Sequence, residues 1–349
     1  LVPYILGINP AIALLMNGIG TLIFIFVTKG KSPAYLGSSF AFIAPALTVI
    51  NNLGYEYALG GFVITGIIFM LVALIIKFAG VKWIDIVLPP AAMGPVVALI
   101  GLELAGNAAQ NGGIVLTDTY KTIDPKLVVA FVITLLVAVF GQVLFRGFAS
   151  AIAILISIII GYVAALALGI VDFETVHSAT WLAMPNFLMP KFNLQSILIP
   201  ASLVVISEHI GHQVVTSEIV GSDLLEDPGL HRSLFSDGIS TTLSGLCGSV
   251  PTTTYGENIG VMAITKVYSV WVIGGAAVFS ILLSFIGKAS GLIQSIPAPV
   301  MGGVSFLLYG MIAASGIRLM VDEKVDYSKS RNLAMTSVIF IVGLSGAFI

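Results

Sequence analysis

Two ionisable side chains in the stretch "SEHIGHQ" (207–213) have a spacing that permits proton transfer. Glu208 and His212 are four residues apart and share one face of a helix, whereas His209 points about 100° away. A carboxylate and an imidazole on one face could exchange a proton near neutral pH. Two alternatives stay open. The three side chains could bind a metal ion, although "EHIGH" lacks the HExxH order of zinc proteases, or they could only end an apolar helix at the cytoplasmic interface.

Glu257 raises a second question of chemistry, because it lies beside Gly256 between two apolar stretches in "VPTTTYGENIGVMAITK" (250–266). Glycine permits a tight backbone, and the N–H groups that begin a helix after a break have no partner within that helix. A carboxylate at the bilayer centre costs about 2.5–3.5 kcal/mol on insertion scales, so we expect Glu257 to face a cavity and to have a function. The alternative is a solvated residue in a cytoplasmic loop.

The composition indicates a membrane environment for these residues. Hydrophobic residues make up 58% of the 349 residues and charged residues 9%, against about 25% charged residues in soluble domains. The chain is therefore predicted to be a polytopic membrane protein. It has no basic run that would favour nucleic acid as a partner, no Walker motif, and a single cysteine, Cys247, which permits no intrachain disulfide. It begins without methionine and stops within an apolar run, so we expect a chain trimmed at both ends.

Apolar segments long enough to cross the roughly 30 Å hydrocarbon layer recur along the whole chain. The clear spans are 11–28, 57–79, 85–106, 126–144, 149–171, 194–213, 231–248, 267–287, 296–317 and 330–349, and residues 1–7 resemble the tail of one more. Two further segments, 33–50 and 250–266, leave only about ten residues for a helix, which covers about half of the bilayer at 1.5 Å per residue. We expect both to be broken spans that contain short extended segments.

The positions of the basic residues indicate that both broken spans cross the membrane. If they do, eleven basic residues fall after every second span and four fall on the opposite side. The eleven are Lys29, Lys31, Lys77, Lys82, Arg146, Arg232, Lys266, Arg318, Lys324, Lys329 and Arg331, and the four are Lys121, Lys126, Lys191 and Lys288. The positive-inside rule assigns the larger set to the cytoplasm, and the bias nearly vanishes if neither segment crosses.

Two pairs of segments resemble each other across the two halves of the chain. The pairs are 88–101 with 296–310 and 9–21 with 227–241, at offsets of 208 and 218 residues. At a similar offset of 217 residues, Phe40 in the first broken span corresponds to Glu257 in the second. Seven spans separate the members of each pair, and an odd number inverts the second copy. Inverted repeats with broken spans are typical of secondary transporters, whose substrate sites lie near the membrane midplane.

The segment "ENIGVMAITK" (257–266) matches the signature of the nucleobase/ascorbate transporter family. That signature is an acidic or amide residue, Asn-x-Gly, four variable positions, a threonine and a basic residue. Four further segments resemble the bacterial uracil permease branch of this family. They are "YLGSSFAFI" (35–43), "SEHIGH" (207–212), "DPGLHRS" (227–233) and "KVDYSK" (324–329).

The resemblance implies an all-α membrane protein of fourteen spans in two inverted repeats of seven, which this chain lacks in part at both ends. It implies a core domain at 1–79 and 194–290, and a gate domain at 80–193 and 291–349. The implied function is a proton-coupled symporter that imports uracil across the bacterial cytoplasmic membrane by alternating access. The implied partners are membrane lipid and a second copy bound through the gate domain, with the proton as coupling ion and no metal or other cofactor.

The resemblance also implies the roles of individual residues. Glu208 and Glu257 would accept the ring N–H hydrogens of the nucleobase, and the backbone N–H groups of Phe40 and Gly256 would reach its carbonyl oxygens. His212 would join the two glutamates in proton coupling. An acidic residue at position 257 favours uracil, because xanthine and ascorbate members tend to carry glutamine there. Another nucleobase such as xanthine, an anion transporter of the same fold, and a metalloenzyme that uses Glu208, His209 and His212 remain alternatives.

Overall fold

The computed structural model describes residues 1–80, 83–116 and 121–345, with the backbone alone at residues 84 and 85. Lys82 and residues 346–349 of the last predicted span lie outside the described residues. The helices are α1 (Val2–Ile5), α2 (Pro10–Val27), α3 (Ile43–Leu53), α4 (Tyr55–Ala79), α5 (Ile84–Val87), α6 (Pro90–Asn111), α7 (Pro125–Leu144), α8 (Phe148–Ala151), α9 (Ala153–Ala167), α10 (Glu174–Ser178), α11 (Ile199–Val220), α12 (Leu230–Cys247), α13 (Gly256–Thr265), α14 (Val270–Ser284), α15 (Gly287–Gln294), α16 (Ala298–Asp322) and α17 (Ser330–Leu344). The strands are β1 (Leu36–Ser38) and β2 (Thr252–Thr254), and a 3₁₀ turn at Phe40–Phe42 leads into α3.

Within the described residues, six helical segments are long and apolar enough to cross a bilayer. They are α2, α4, α6, α7, α16 and the segment Leu194–Val220 that contains α11. All six coincide with predicted spans. Shorter apolar helices, α9, α14 and α17, occupy three more predicted spans, and the polar helix α12 occupies another. The predicted all-helical membrane fold is therefore confirmed, while the inversion of the two repeats stays a prediction.

Helix α11 differs from the predicted span, which ended at Gln213. The helix continues to Val220, so Glu208 and His212 lie within it and not at its end. The sequence is polar beyond His212, but this polarity does not end the helix because the side chains have partners inside the protein. Ser32 Oγ, for example, donates to Gln213 Oε1 at 3.0 Å. The interpretation that this cluster only terminates a helix is therefore wrong.

The chain forms two compact units. One, called the sheet unit, contains residues 2–83 and 176–294 and includes both strands. The other, called the helix unit, contains residues 84–175 and 295–349 together with Leu1.

The connection at 176–193 belongs to the sheet unit. It is held there by backbone hydrogen bonds. Ala183 N donates to Phe285 O at 3.0 Å, and Lys191 N donates to Glu56 O at 2.8 Å.

The predicted extended segments are present in both broken spans. Strands β1 and β2 pair antiparallel, with Leu36 opposite Thr254 and Ser38 opposite Thr252. A half-helix follows each strand: the 3₁₀ turn and α3 follow β1, and α13 follows β2. Because the strands run in opposite directions, the two half-helices leave the sheet from opposite ends. Helix α13 has ten residues, so at 1.5 Å per residue it is about 15 Å long, half of the hydrocarbon layer.

Threonine and serine side chains of the neighbouring helices supply the hydrogen bonds that the short sheet lacks. Leu36 N of β1 donates to Thr21 Oγ1 of α2 at 2.9 Å. On the other strand, Thr252 N donates to Thr241 Oγ1 of α12 at 3.2 Å, and Thr241 Oγ1 donates to Thr252 O at 2.9 Å. Ser240 Oγ lies 2.7 Å from Thr252 Oγ1. Helix α12 is polar because it faces this sheet inside the protein and not the lipid.

Small residues allow α12 to approach α4 closely. A Cβ placed on Gly66 of α4 would lie 2.6 Å from Gly238 O, and one placed on Gly238 of α12 would lie 2.7 Å from Gly66 O. The glycines that begin and end the segment "GFVITG" (61–66) have a spacing that favours close helix packing, and Gly66 provides it here. In the helix unit, α6 and α16 approach in the same way, and a Cβ on Gly101 would lie 2.7 Å from Ala313 N.

Candidate functional site

Helix α11 contacts the starts of both half-helices within the sheet unit. It packs against the 3₁₀ turn at Phe40–Phe42, against β2 and against α13. Glu208 and His212, both half-buried, are carried on this helix. Helix α11, which carries the predicted proton-transfer pair, therefore contacts both elements that contain the predicted backbone donors, the N–H groups of Phe40 and Gly256.

His212 connects α11 to the break in the second broken span. Its Nδ1 lies 3.0 Å from Thr254 Oγ1, the last residue of β2. Its ring also covers Gly256, because a Cβ built on Gly256 would lie 3.1 Å from His212 Nε2. A Cβ at position 256 would require the imidazole to shift by a few tenths of an ångström. Glycine here therefore serves the close approach of the ring and not a left-handed turn, because Gly256 is not among the glycines with positive φ.

Glu257 and Gly256 occupy the first turn of α13. Gly256 is the first helical residue, and the residue before it, Tyr255, makes no side-chain hydrogen bond that caps the helix. The N–H groups of this first turn therefore point at the break without a capping acceptor, and they carry the positive end of the helix dipole. Glu257 is exposed at this position, and its carboxylate interacts electrostatically with that of Glu208.

Phe40 begins the other half-helix and is half-buried. The preceding residue, Ser39, donates its N–H to Pro251 O at 2.9 Å, which ties the start of this half-helix to the chain entering β2. Tyr255 further fixes the sheet, because its ring covers Gly37 and its backbone N–H donates to Tyr35 O at 3.1 Å. The two half-helix starts are consequently held on one rigid two-stranded support.

His209 points away from Glu208 and His212, as its helical spacing predicted. Its ring is fully buried between α11 and α12, with Nε2 2.9 Å from Ser233 Oγ and Nδ1 2.8 Å from Asp237 Oδ2. Thr253 Oγ1 of β2 donates to the same carboxylate oxygen at 3.3 Å. Both ring nitrogens of His209 therefore lie close to polar groups of α12, although the contact of Nδ1 with Asp237 does not have the geometry of a hydrogen bond, and the residue does not join Glu208 and His212 in a three-ligand cluster.

The sequence offered a partial signal for the residues that support the site. Asp237 lies in the polar helix α12, and the structure places it beside His209 in the packing of α12 on α11. Thr254, the partner of His212, has its signal in the run "TTT" (252–254), since three β-branched residues between Pro251 and Tyr255 favour a short strand with hydroxyl groups on both faces.

Comparisons with known proteins identify relatives of this chain. A family model described as "Permease family" matches residues 1–349. The uracil permease of Paenibacillus larvae is 58% identical over 352 residues, covering 99% of this chain and 83% of its own length. The uracil permease of Escherichia coli strain K12 is 58% identical over 349 residues, covering 99% and 81%. That of Bacillus subtilis is 47% identical over 358 residues, covering 100% and 82%.

A solved structure shows the same fold. It is the transmembrane domain of a cyanobacterium bicarbonate transporter, BicA, with a TM-score of 0.71 over 99% of this chain and 91% of that chain. The sequence identity is 16%, so the likeness concerns the fold alone.

Removal of Asp237 should destabilise the protein more than removal of Ser233. In Asp237→Ala, both His209 Nδ1 and the Thr253 hydroxyl lose a buried partner, which should cost about 3–5 kcal/mol of unfolding free energy, whereas Ser233→Ala should cost about 1 kcal/mol. The check is the thermal unfolding midpoint of the purified full-length variants in detergent. Equal midpoints for the two variants would contradict the contacts assigned to Asp237. A midpoint that falls on chelation in the wild type would instead indicate a metal at His209.

Proposed function

We propose that this chain, which belongs to the permease family, transports uracil across the bacterial cytoplasmic membrane. A permease is a transporter and not an enzyme, and the metalloenzyme alternative is therefore wrong. The high identity to uracil permeases supports the substrate. The structural observation that carries the proposed site is the contact of α11 with the starts of both half-helices.

Uracil fits the groups that this arrangement offers. It is a flat ring with two N–H donors and two carbonyl acceptors. In the proposed complex, the carboxylates of Glu208 and Glu257 accept the ring N–H hydrogens, and the backbone N–H groups of Gly256 and Phe40 donate to the carbonyl oxygens. Hydrogen bonds to a charged acceptor are about twice as strong as neutral ones, and the positive ends of the helix dipoles favour the oxygens.

The two compact units correspond to the two moving parts of a proposed alternating-access cycle. We assign the sheet unit as the core domain, because it contains every proposed substrate contact, and the helix unit as the gate domain. The homodimer through the gate domain remains a prediction.

Proton coupling follows from a conflict between two requirements on Glu208. An ionised Glu208 is the better acceptor for a ring N–H, but a charged site is costly to move past an apolar barrier between domains. The conflict is relieved if the proton can move to a neighbour, and His212 is the neighbour one helical turn away. Its bond to Thr254 Oγ1 supports this role by holding the imidazole beside the break, and Glu257 completes the proposed set of coupling residues.

The substrate is tested by competition. Uptake of labelled uracil into proteoliposomes that contain the full-length protein should be reduced by unlabelled uracil and not by xanthine or bicarbonate. An acidic residue at position 257 favours uracil over xanthine. The two carboxylates of Glu208 and Glu257 repel an anion such as bicarbonate. Competition by bicarbonate equal to that by uracil would overturn the assignment in favour of an anion transporter. Stronger competition by xanthine than by uracil would indicate that the substrate is xanthine.

Glu257→Gln should weaken uracil binding while the protein stays folded. The amide is nearly isosteric, but it replaces a charge-assisted acceptor worth about 1.5–3 kcal/mol, which corresponds to roughly 10- to 100-fold in dissociation constant. The measurement is equilibrium binding of labelled uracil to the purified full-length variant. The matched control is Glu56→Gln, an exposed carboxylate that pairs with Lys191 away from the break. Unchanged binding in Glu257→Gln would remove this residue from the site.

His212→Leu should impair proton-driven accumulation more than equilibrium binding. The residue is proposed to hold the proton while uracil contacts the glutamates, and coupling requires that proton affinity differ between the empty and the loaded site. We would measure uracil binding in detergent beside accumulation in proteoliposomes with and without an imposed pH gradient.

A second variant, Thr254→Val, separates coupling from support of the site. It keeps the imidazole and removes its hydroxyl partner, so it should reduce gradient-driven accumulation less than His212→Leu does. If His212→Leu loses binding and accumulation in equal proportion, the residue is a ligand contact or a support, and the relay is disproved.

A further inference from the structure

Two adjoining open cavities lie away from the proposed uracil site, where α2 and α4 end and α12 begins. The larger has a volume of about 670 Å³ and the smaller about 290 Å³. The larger is lined by Ile25, Phe26, Val27, Lys29, Gly30 and Arg232. The smaller is lined by Val27, Ala73, Leu74, Lys77, His231, Arg232 and Phe235. They share Val27 and Arg232, and together they are called the basic cavity.

The described residues that line the basic cavity give it a positive charge and include no acidic side chain. Lys29, Lys77 and Arg232 line it beside His231, which interacts electrostatically with both Arg232 and Lys77. Among the side chains that the structure describes, which exclude those of residues 84 and 85, none of these three cations forms an ion pair with a carboxylate. Asp227, in the connection before α12, pairs instead with Lys31. Within this described part, the charge of the cavity is therefore uncompensated.

Arg232 is the best-placed of these cations for an anion. It is half-buried, lies in both cavities, and makes only a long contact, 3.5 Å, from Nη1 to Val27 O. It is also in the first turn of α12, whose residue before the helix, Gly229, provides no side-chain cap. The planar guanidinium can donate two parallel hydrogen bonds to a phosphate, and the positive end of a helix dipole strengthens that preference.

Exposed apolar side chains adjoin the charges. Phe26 is 84% exposed and Phe78 is 82% exposed, and Lys77 Nζ lies 5.7 Å from the centre of the Phe78 ring. Helix α2 has 18 residues, about 27 Å, so Lys29 just beyond its end lies near the surface of the hydrocarbon layer. The positive-inside bias assigns this surface to the cytoplasm, where membranes carry anionic lipid.

We propose that the basic cavity binds one anionic phospholipid of the cytoplasmic leaflet. The phosphate of its headgroup lies at Arg232 between Lys29 and Lys77, and one acyl chain runs along Phe26 and Leu74. Apolar walls at a membrane surface favour a lipid over a free phosphate ion, which gains nothing from them. The lipid ties together α2, α4 and α12, and two of these helices hold the edges of the sheet. This binding does not depend on which substrate the protein transports.

The test uses the purified, delipidated full-length protein in detergent. Phosphatidylglycerol and phosphatidylcholine are titrated separately, and bound lipid is counted by native mass spectrometry. The wild type should bind one phosphatidylglycerol in preference to phosphatidylcholine. The triple variant Lys29→Gln, Lys77→Gln, Arg232→Gln should bind it about 100-fold more weakly, since each basic residue near an anionic surface contributes roughly fivefold.

A matched control variant is Lys324→Gln. Lys324 follows the end of α16 with a backbone φ of 49°, as Lys29 follows the end of α2 with a φ of 57°, but it lines neither cavity. It should bind phosphatidylglycerol as the wild type does. Cooperative thermal unfolding checks that the triple variant is folded. If it is not, Lys77→Gln alone, at an exposed position, should give the fivefold loss.

Three results would overturn the proposal. The first is equal binding of phosphatidylcholine and phosphatidylglycerol by the wild type. The second is undiminished phosphatidylglycerol binding by the folded triple variant or, failing that, by Lys77→Gln. The third is displacement of the lipid by inorganic phosphate at an equal concentration, which would indicate a site for a free anion. None of these readouts involves uracil, so the lipid site and the transport proposal fail independently.

Discussion

Hydrogen bonding of the backbone inside the membrane is the constraint on which the rest of this structure depends. Two spans are interrupted by three-residue strands, and an isolated two-stranded sheet leaves N–H and C=O groups unpaired along both outer edges. Lipid offers no hydrogen-bond partners. The hydroxyls of Thr21 and Thr241 provide them, one on each side of the sheet. The sheet can therefore exist only where two polar helix faces are directed at it.

This requirement determines the position of α12. A helix that presents serine, threonine and aspartate toward a sheet cannot face lipid, so it is enclosed by α2, α4 and α11. The glycines at positions 66 and 238 let α12 lie close to α4, and the His209–Asp237 contact joins it to α11. The result is a buried polar layer behind the sheet that holds the two half-helix starts in place. A support of this kind keeps the start of α13, which has no side-chain cap, in a fixed position.

The shared fold does not by itself select a substrate. The transmembrane domain of a bicarbonate transporter has the same fold at 16% identity, so the fold alone does not say what this chain carries. In the proposed site, selectivity lies in the side chains beside the half-helix starts. Two carboxylates there, Glu208 and Glu257, suit a neutral ring with N–H donors and oppose an anion.

Some features of this protein were determined by its sequence alone. Long apolar runs located the spans because crossing a bilayer requires about 20 apolar residues whatever the neighbours are. Glycine and polar residues at 33–50 and 250–266 located the breaks, and the local motifs around Glu208 and Glu257 indicated the family. These signals are local, since they depend on composition and spacing within one segment. Such local signals were sufficient to locate α4, because the predicted span 57–79 matches the helix Tyr55–Ala79 closely.

Only the tertiary structure decided what each polar side chain does. The sequence predicts that helix α11 ends at Gln213, yet Ser32, 181 residues away in the chain, donates to the Gln213 side-chain oxygen inside the protein, and the helix continues to Val220. Thr254 contacts His212 because α11 packs against β2. Asp237 contacts His209 because α11 packs against α12. Whether a buried polar group faces a ligand or a structural partner depends on which distant residues surround it. That information arises only when the helices pack.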